Sequence, residues 1–492
     1  MTASNSLSYN KSDNVITINY LLLLGLSLLI LIHLLSLYST ACAIFIAVIE
    51  NILVYYYLLS GKNKTALFYM CLFYATCYSN PVFFGTARNL DTIYCIEVLP
   101  FVHGYLMLLS FFVLFINLYS KRKKTLNVPN TLSKFAQYTV YAGILMGLAT
   151  IVINGFQYRA IISDINQCVI PALMIIVFIY YFEEDPLFAH KYLSLVFHIF
   201  LSYIIIAWVT VALNIFADFV PVRDKVLMVP LPSFYFSCIL LFLGQLPKIK
   251  DKIVVIVAFA STVIFQLFFD SCMNGKSWIV FITTIIVGLY YLAANSIKRN
   301  FVLYGTILVI LGFFIIRLVP KVDSFISETK NTKLLEFVSM FAAADSGDLD
   351  DMDSSSQFRF LEFINVAEQY IEQPYFALTG RGYGGSIHSN GYFWDRSESG
   401  FSLDQYDSDK FYRLHESMNV IFLKFGIIGL FFFILLLFKL LMGIKFSPWC
   451  YVGLIWLFFF WGYQNSLLFI GLPAMVFGFQ YTNHNKVSIA KA

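Results

Sequence analysis

One segment in the last third of the chain gathers side chains that could bind an anion and move a proton. Arg359 and Arg381 carry guanidinium groups, which bind phosphate oxygens in pairs. His415 could act as a general base, with Glu416 beside it to orient or assist it. Gly380–Gly385 forms a turn whose backbone could approach an anionic group closely. These residue types suit a site that neutralises a phosphate leaving group, and we expect it to work with no metal ion and no other cofactor.

Three further basic residues, Arg159, Arg223 and Lys276, fall in three different connections that we predict to lie outside the membrane. Positive charge is disfavoured in short outward loops, so basic residues found there are candidates for a functional role. Interfacial snorkelling is the alternative for each outward cation. We expect the three to converge with Arg359 and Arg381 on a pyrophosphate at the membrane surface.

The elements that hold these residues are predicted to be membrane helices. Of the 492 residues, 59% are hydrophobic and only 13% are charged, against about a quarter in soluble proteins. The mean hydropathy is +0.75, which excludes an ordinary soluble enzyme. The expected fold class is all-α, a polytopic integral membrane protein with about 14 transmembrane helices (12–14).

Windows of about 20 apolar residues are long enough to cross a bilayer as a helix, and they predict the positions of these spans. The windows lie at 17–38, 40–59, 65–84, 93–119, 136–154, 168–182, 191–215, 227–246, 252–271, 277–296, 301–319, 418–442, 447–463 and 464–480. With the N-terminus in the cytoplasm, the basic connections face inward as the positive-inside rule requires. The C-terminal tail then also lies in the cytoplasm.

This topology places one large, partly helical loop on the outer side, between spans eleven and twelve. From Pro320 to Glu416 the chain holds 17 of the 29 acidic and 8 of the 33 basic residues, so its net charge is −9 and the remainder carries +13. We expect three regions: spans one to eleven (1–319), the large loop (320–417), and spans twelve to fourteen with the tail (418–492).

Two helices are predicted from patterns in the large loop. An amphipathic helix follows Ser354–Ser356 and ends before Pro374, with Arg359 and Glu362 on a polar, solvated side. Its apolar stripe, expected on the membrane surface, comprises Phe358, Leu361, Ile364, Ala367 and Ile371. Asp407–Asp409 predicts the N-cap of a second helix, which would run through His415 into span twelve.

Six ionisable residues fall within predicted spans, where such groups are costly and become functional candidates by default. They are His33, Glu50, Glu97, His103, His198 and Lys424. They could mark a proton or ion path, and their roles are left open here.

A larger pattern is carried by His415, which is followed at +11 and +14 by Gly426 and Gly429 in an apolar helix. This pattern resembles the signature at the end of the large outer loop in the bacterial O-antigen ligase and polymerase superfamily. Arg359, Pro374 and the turn Gly380–Gly385 resemble the Arg…Pro…GxGxG segment of that family.

Two segments upstream extend the resemblance over residues 220–435. Arg223, ahead of Pro230 and Pro232, is similar to an arginine at an outer helix end in the family. Asn274–Trp278 occupies the place of the family's Ser-Arg-Gly motif. Lys276 stands where arginine is usual. Glu416 follows the histidine where the ligases often have Asn, and Lys424 lies where an acidic or small polar residue is common.

The resemblance implies a metal-independent, inverting glycosyltransferase at the periplasmic side of the inner membrane. Its donor would be an undecaprenyl-pyrophosphate-linked glycan. A polymerase would use a sugar hydroxyl of a second lipid-linked repeat unit as acceptor, and a ligase would use the lipid A core. Because the context of His415 departs from the ligase form, we expect a polymerase. The expected partners are the bilayer, the two lipid-linked glycans and a chain-length regulator, with no nucleic acid.

In this interpretation, each candidate residue has a role. His415 is the general base, Glu416 assists it, and Arg359 belongs to both the catalytic and the pyrophosphate-binding sets. The pyrophosphate is bound by Arg159, Arg223, Lys276, Arg359 and Arg381, and sugar rings stack on Tyr383, Tyr392 and Trp394. In a chain that is 18% aromatic, packing is the alternative for each of these rings.

Two readings from other classes stay open. A lipid-linked oligosaccharide flippase or another transporter would explain the ionisable residues within the spans, but not the large loop with its histidine and arginines. A structural or scaffold protein is the other alternative.

Overall fold

The computed structural model describes residues 16–36, 39–77, 109–118, 120, 131–212, 235–268, 275–294, 354–390, 401, 403–461 and 467–489. Within these ranges the chain is helical, with one isolated antiparallel β-bridge, between Ile387 and Phe411. The all-α class is therefore confirmed for the described residues.

The helices are numbered here in chain order over the described ranges. They are α1 (Tyr20–Leu35), α2 (Thr40–Leu59), α3 (Asn63–Tyr74), α4 (Leu109–Leu118), α5 (Thr131–Asn154), α6 (Tyr158–Asp164), α7 (Ile170–Glu184), α8 (Pro186–Ala212), α9 (Ile249–Phe268), α10 (Gly275–Ala294), α11 (Ser354–Glu372), α12 (Leu403–Ser408), α13 (Ser417–Gly443), α14 (Pro448–Phe460) and α15 (Leu468–Ile489). A π-helical stretch, Ile165–Val169, joins α6 to α7, and 3₁₀ segments cover Ser237–Gln245 and Pro374–Phe376.

Within the described residues, five stretches of helix are long and apolar enough to cross a membrane. They are Ala41–Leu59, Thr131–Asn154, Tyr158–Glu184, Pro186–Val209 and Ser417–Gly443. Shorter apolar helices accompany them, including α1, α14 and much of α15. These helices are consistent with the transmembrane character expected from composition. The number of spans stays a prediction, and span eleven (301–319) lies outside the described residues.

The outer surface of the bundle is apolar. Large side chains such as Leu21, Phe45 and Val152 are mostly exposed, and Val152 reaches 85%. Apolar groups turned outward over several helices are unfavourable in water and favourable against lipid. The side chains that pack the interior include polar ones, which is the arrangement expected when the surroundings are hydrocarbon.

Helix α13 is broken near its middle, and the break shapes the rest of the molecule. Gly426 has φ 61° and ψ −158°, a conformation that essentially only glycine adopts. A Cβ at this position would also collide with the backbone of Leu378 and Gly380. The helical hydrogen-bond ladder stops here, so peptide groups on both sides of Gly426 need other partners.

The segment just after α11 supplies most of these partners. The amides of Ile427 and Ile428 donate to the carbonyls of Ala377 and Leu378 at 2.9 and 3.0 Å. In return, the carbonyl of Leu423 accepts from the Arg381 amide at 2.9 Å.

The remaining carbonyls before the break are also satisfied. The Lys424 carbonyl accepts from the Gly382 amide at 2.9 Å, and the Tyr370 hydroxyl donates to the carbonyls of Phe422 and Leu423. The large loop is thus joined to α13 by main-chain hydrogen bonds within the helix bundle.

The turn Gly380–Gly385, hereafter the glycine turn, lies against α5 on the opposite side. Gly143 and Gly147 form a GxxxG pair on α5, and a Cβ at either position would collide with Tyr383. The Tyr383 amide donates to the Gly143 carbonyl at 2.9 Å. The Thr150 hydroxyl donates to the Arg381 carbonyl at 2.5 Å. Small residues on α5 therefore create the space into which the turn fits.

A buried ion pair closes this attachment. Lys424 Nζ lies 2.7 Å from Asp164 Oδ2, and both side chains are fully buried. Lys424 Nζ also donates to the Gly385 carbonyl at 2.6 Å, while Asp164 Oδ2 accepts from the Gly384 amide at 2.7 Å. The role of Lys424 left open by the sequence is thus to bind the glycine turn to α6 and α13.

The break at Gly426 predicts that adding a single methyl group there strongly destabilises the protein. Gly426→Ala is expected to lower the free energy of unfolding by about 2–4 kcal/mol, since alanine is strained at this φ and its Cβ would overlap backbone. The measurement is the thermal unfolding midpoint of the full-length protein in detergent. Gly25→Ala is the control, because nothing lies within 4 Å of a Cβ at Gly25. Equal midpoints for the two variants would contradict this account.

The ion pair predicts non-additive effects. Lys424→Met or Asp164→Leu alone leaves one charge buried without its partner, which costs about 3–5 kcal/mol. The double variant removes both charges and is expected to be more stable than either single variant. Thermal unfolding of the three proteins tests this, and strictly additive losses would show that the pair is not coupled.

Candidate functional site

The first feature of the site is a histidine held by a buried carboxylate. His415 Nδ1 lies 2.5 Å from Glu362 Oε1, and Glu362 is fully buried in α11. Because a carboxylate accepts and does not donate, this contact assigns the ring proton to Nδ1 and the basic lone pair to Nε2. The His415 side chain remains 20% exposed, so the ring lies at the edge of the protein.

Glu362 receives two more hydrogen bonds. The His415 backbone amide donates to Glu362 Oε2 at 3.2 Å, and Asn419 Nδ2 donates to the same oxygen at 2.9 Å. Asn419 Nδ2 also donates to the Arg359 carbonyl at 2.9 Å. Through these hydrogen bonds, Glu362 holds α11 against the start of α13.

Two aromatic rings enclose the histidine. The Phe401 centroid lies 4.8 Å from that of His415, and the Phe358 centroid lies 5.4 Å away with its plane nearly perpendicular. Phe401 in turn packs on Phe411, whose backbone pairs with Ile387 in the β-bridge. Among the described residues, the imidazole is thus bonded to the Glu362 carboxylate and packed between two aromatic rings, which restrict its rotation.

The second feature is a pair of cations that share one anion. Lys276 Nζ lies 2.9 Å and Arg359 Nε 3.0 Å from the same atom, Glu416 Oε1. The three side chains are 16%, 34% and 21% exposed, respectively, so the cluster is open to one side. We call Lys276 and Arg359 the cation pair.

Helix ends bring the cation pair to His415. Lys276 lies in the first turn of α10, and its ammonium is 5.6 Å from the Phe459 ring centroid at the end of α14. The Ser417 hydroxyl, at the start of α13, accepts from the Trp461 amide at 2.9 Å. The beginnings of α10 and α13 and the end of α14 thus meet on one side of the bundle, beside α11.

The structure brings four of the predicted site residues together: Lys276, Arg359, His415 and Glu416. Glu416 was expected to assist His415, but its carboxylate contacts the cation pair instead. The partner of His415 is Glu362, which we had placed on a solvated face.

Arg381 does not have the position expected of a phosphate ligand. Its guanidinium is buried, donates to the carbonyl of Ser386 and to Gln373 Oε1, and lies 5.7 Å from the Phe376 centroid. Burial lowers the pKa of Arg381 from its usual value. The residue stabilises the glycine turn from within, and its place among the pyrophosphate ligands stays a prediction that this position does not support.

Tyr383 is likewise unsuited to stacking on a sugar. It is buried over Gly143, and its hydroxyl donates to the Thr139 carbonyl at 2.7 Å. The glycine turn thus packs within the bundle and does not form an anion cradle. The structure gives no support to the expectation that the turn binds an anion, which stays a prediction.

The remaining predicted residues fall into two groups. Arg159 lies exposed in the first turn of α6, where its Nε donates to the Tyr158 hydroxyl at 3.0 Å. The others lie outside the described residues, and their roles stay predictions; they are Arg223, Tyr392 and Trp394, together with Glu97 and His103.

Helix α11 (Ser354–Glu372) confirms the predicted end before Pro374, but its polar side is not solvated. Glu362, Asn365 and Gln369 are buried against the protein, while Ile371 on the apolar stripe is 80% exposed. A helix beside lipid can turn its apolar side outward, so the polar side packs inward.

The second predicted helix of the loop is wrong in its extent. The helix near Asp407–Asp409 is the short α12, which ends at Ser408, and α13 starts only at Ser417. His415 therefore lies in a non-helical segment between α12 and α13. The Gln405 Oε1 atom holds this segment by accepting from the amides of Tyr412 and Arg413 at 3.0 and 3.1 Å.

Sequence reasoning missed the importance of Glu362 and Asn419, although a signal exists for Glu362. Glu362 is three residues after Arg359 in the predicted helix. In helices, residues at this separation share a face. Because Arg359 is a candidate phosphate ligand, the Glu362 carboxylate on the same helix face could have been predicted as a partner for His415.

Comparison with known proteins adds no relative. No family model, curated protein or solved structure matches the chain.

The arrangement can perform acid–base chemistry next to bound negative charge. The Glu362–His415 pair can accept a proton at Nε2 and stabilise the imidazolium that results. The cation pair can bind an anionic group and neutralise charge on it. Both features are partly exposed at the same helix ends, as a site for an external substrate requires.

Proposed function

We propose that the chain is an integral membrane glycosyltransferase of the O-antigen polymerase type. It would join undecaprenyl-pyrophosphate-linked oligosaccharide repeat units into O-antigen or a related surface polysaccharide, at the periplasmic side of the bacterial inner membrane. The observation that carries the proposal is the Glu362–His415 pair next to Lys276 and Arg359. A base and a cation pair are the two components that glycosyl transfer from a diphosphate demands.

The reaction proceeds in one displacement. His415 Nε2 removes the proton from a sugar hydroxyl of the acceptor, and the resulting oxygen nucleophile attacks the anomeric carbon of the donor. The bond between that carbon and the diphosphate oxygen breaks, and its electron pair leaves with undecaprenyl pyrophosphate. Lys276 and Arg359 stabilise the charge that develops on the leaving group, and attack from the opposite face inverts the anomeric carbon.

Glu362 has a positioning role in this mechanism. Its carboxylate keeps the proton on Nδ1 and stabilises the imidazolium after proton transfer, as the acidic member of a catalytic triad does. Transfer to the lipid A core by the same residues would make the protein a ligase. The polymerase is preferred because Glu416 stands where the ligases often have Asn.

A transporter of lipid-linked oligosaccharides is the second candidate, and one observation favours it. His33 Nε2 lies 2.7 Å from Glu50 Oε1 between α1 and α2, and both residues are buried. Ionisable pairs inside a membrane bundle often serve proton or ion pathways. In a deletion strain, the enzyme predicts single repeat units on the outer face of the membrane, and the transporter predicts them on the cytoplasmic face.

Loss of the base tests the proposed function directly. His415→Ala is expected to reduce polymer synthesis by about 100-fold or more, within the range of general-base contributions. The measurement is the length distribution of surface polysaccharide in a deletion strain that expresses the variant at wild-type levels. The control is His388→Ala, because His388 is exposed in the same loop and bonds the Asp409 carbonyl. Long chains made by the His415→Ala protein would refute the assignment.

Loss of charge at Glu362 tests the positioning role. Glu362→Gln is expected to lower kcat by about 100-fold while changing KM little, since the carboxylate acts on the imidazolium and not on bound substrate. Glu362→Asp keeps the charge and should restore part of the rate. The measurement is single-turnover polymerisation by the purified protein. An aspartate variant no better than the glutamine variant would indicate that Glu362 only supports the fold.

A further inference from the structure

The contact between Glu416 and the cation pair resembles a bound anion. Both cations point to a single carboxylate oxygen, at 2.9 Å from Lys276 and 3.0 Å from Arg359. Charged nitrogen donors lie at the same distances from phosphate oxygens. Glu416 Oε1 therefore lies where an oxygen of a phosphate group would bind these two cations.

The charges in this cluster are already balanced. Lys276 and Arg359 contribute two positive charges, and Glu416 and Glu362 contribute two negative ones. A diphosphate diester would add about two further negative charges to these described side chains. With Glu416 still in place, the incoming phosphate would be repelled by a carboxylate on the same donors, and each cation would be shared between two anions.

Glu416 is placed so that it can move away. Its carboxylate is partly exposed, and the residue is the N-cap of α13, with φ −110° and ψ 143°. Its side chain makes no capping hydrogen bond. A carboxylate that rotated off the cation pair would therefore remain near the positive end of the α13 dipole, which stabilises negative charge.

We propose that Glu416 is an internal substitute for the diphosphate, occupying the cation pair until the diphosphate of a lipid-linked substrate displaces it. The identity of the ligand rests on the proposed function, whereas the competition between carboxylate and anion does not. Because Glu416 directly follows His415, the exchange takes place beside the base. After transfer, return of the carboxylate to the cation pair expels the diphosphate product.

Binding of inorganic pyrophosphate tests the proposal without turnover. Full-length protein in detergent is titrated calorimetrically, and Glu416→Gln is expected to bind about tenfold more tightly than wild type, because the competing charge is gone. The matched control is Glu372→Gln, which removes an exposed carboxylate about 20 Å further along α11 from Arg359. Unchanged or weaker binding by the Glu416→Gln protein would overturn the proposal.

Two further arms make the result specific. Glu416→Asp retracts the carboxylate by one methylene group and is expected to bind pyrophosphate about threefold more tightly than wild type. This variant tests the proposal if the glutamine variant fails to fold. Aspartate binding no tighter than wild type would then overturn the proposal. Inorganic phosphate should bind more weakly than pyrophosphate; equal binding would point to a single phosphate, as in a phospholipid headgroup, and overturn the diphosphate assignment.

The two proposals can fail separately. Tighter pyrophosphate binding by the Glu416→Gln protein, together with normal polymer synthesis by the His415→Ala protein, would retain the anion exchange and reject the glycosyltransferase. The opposite pair of results would retain the glycosyltransferase and reject the exchange.

Discussion

An interrupted membrane helix cannot leave its peptide groups without partners, and the break of α13 at Gly426 imposes this requirement on its surroundings. Hydrocarbon offers no hydrogen bonds, so each freed amide and carbonyl must find a partner in the protein. The segment 377–382 meets that need together with Tyr370. The described part of the large loop that follows α11 is therefore packed into the bundle. Its attachment sets the position of α11, and α11 carries Arg359 and Glu362.

The site uses two carboxylates in different environments for different purposes. Glu362 is buried and held by hydrogen bonds from His415 and Asn419, which makes it a fixed partner for the imidazole. Glu416 is partly exposed and contacts the cation pair, whose side chains are also partly exposed. A fixed anion suits the orientation of a base, and an exposed one suits exchange with a substrate. Neighbouring residues in the sequence, His415 and Glu416, thereby serve separate halves of the site.

Local sequence patterns predicted the helices well where the pattern itself supplies the stability. Long apolar runs such as 40–59 and 136–154 lie within α2 and α5, because an unbroken apolar helix satisfies its own backbone and needs no particular neighbour. The end of α11 also followed from Pro374. The pattern failed for residues 409–416, where hydrogen bonds donated to the Gln405 side chain and the β-bridge at Phe411 hold a non-helical chain.

The sequence by itself determined the apolar helical class and singled out Lys276, Arg359, His415 and Glu416, because residue type alone limits which chemistry a side chain can perform. Only the tertiary structure decided how these residues pair. Arg381 and Tyr383 looked suited to binding phosphate and sugar, yet the glycine turn carries them into a space formed by Gly143 and Gly147 on a distant helix. Glu362 looked solvated, yet packing against α13 buries it beside His415. Burial and partnership depend on contacts between residues far apart in the chain, which local spacing does not encode.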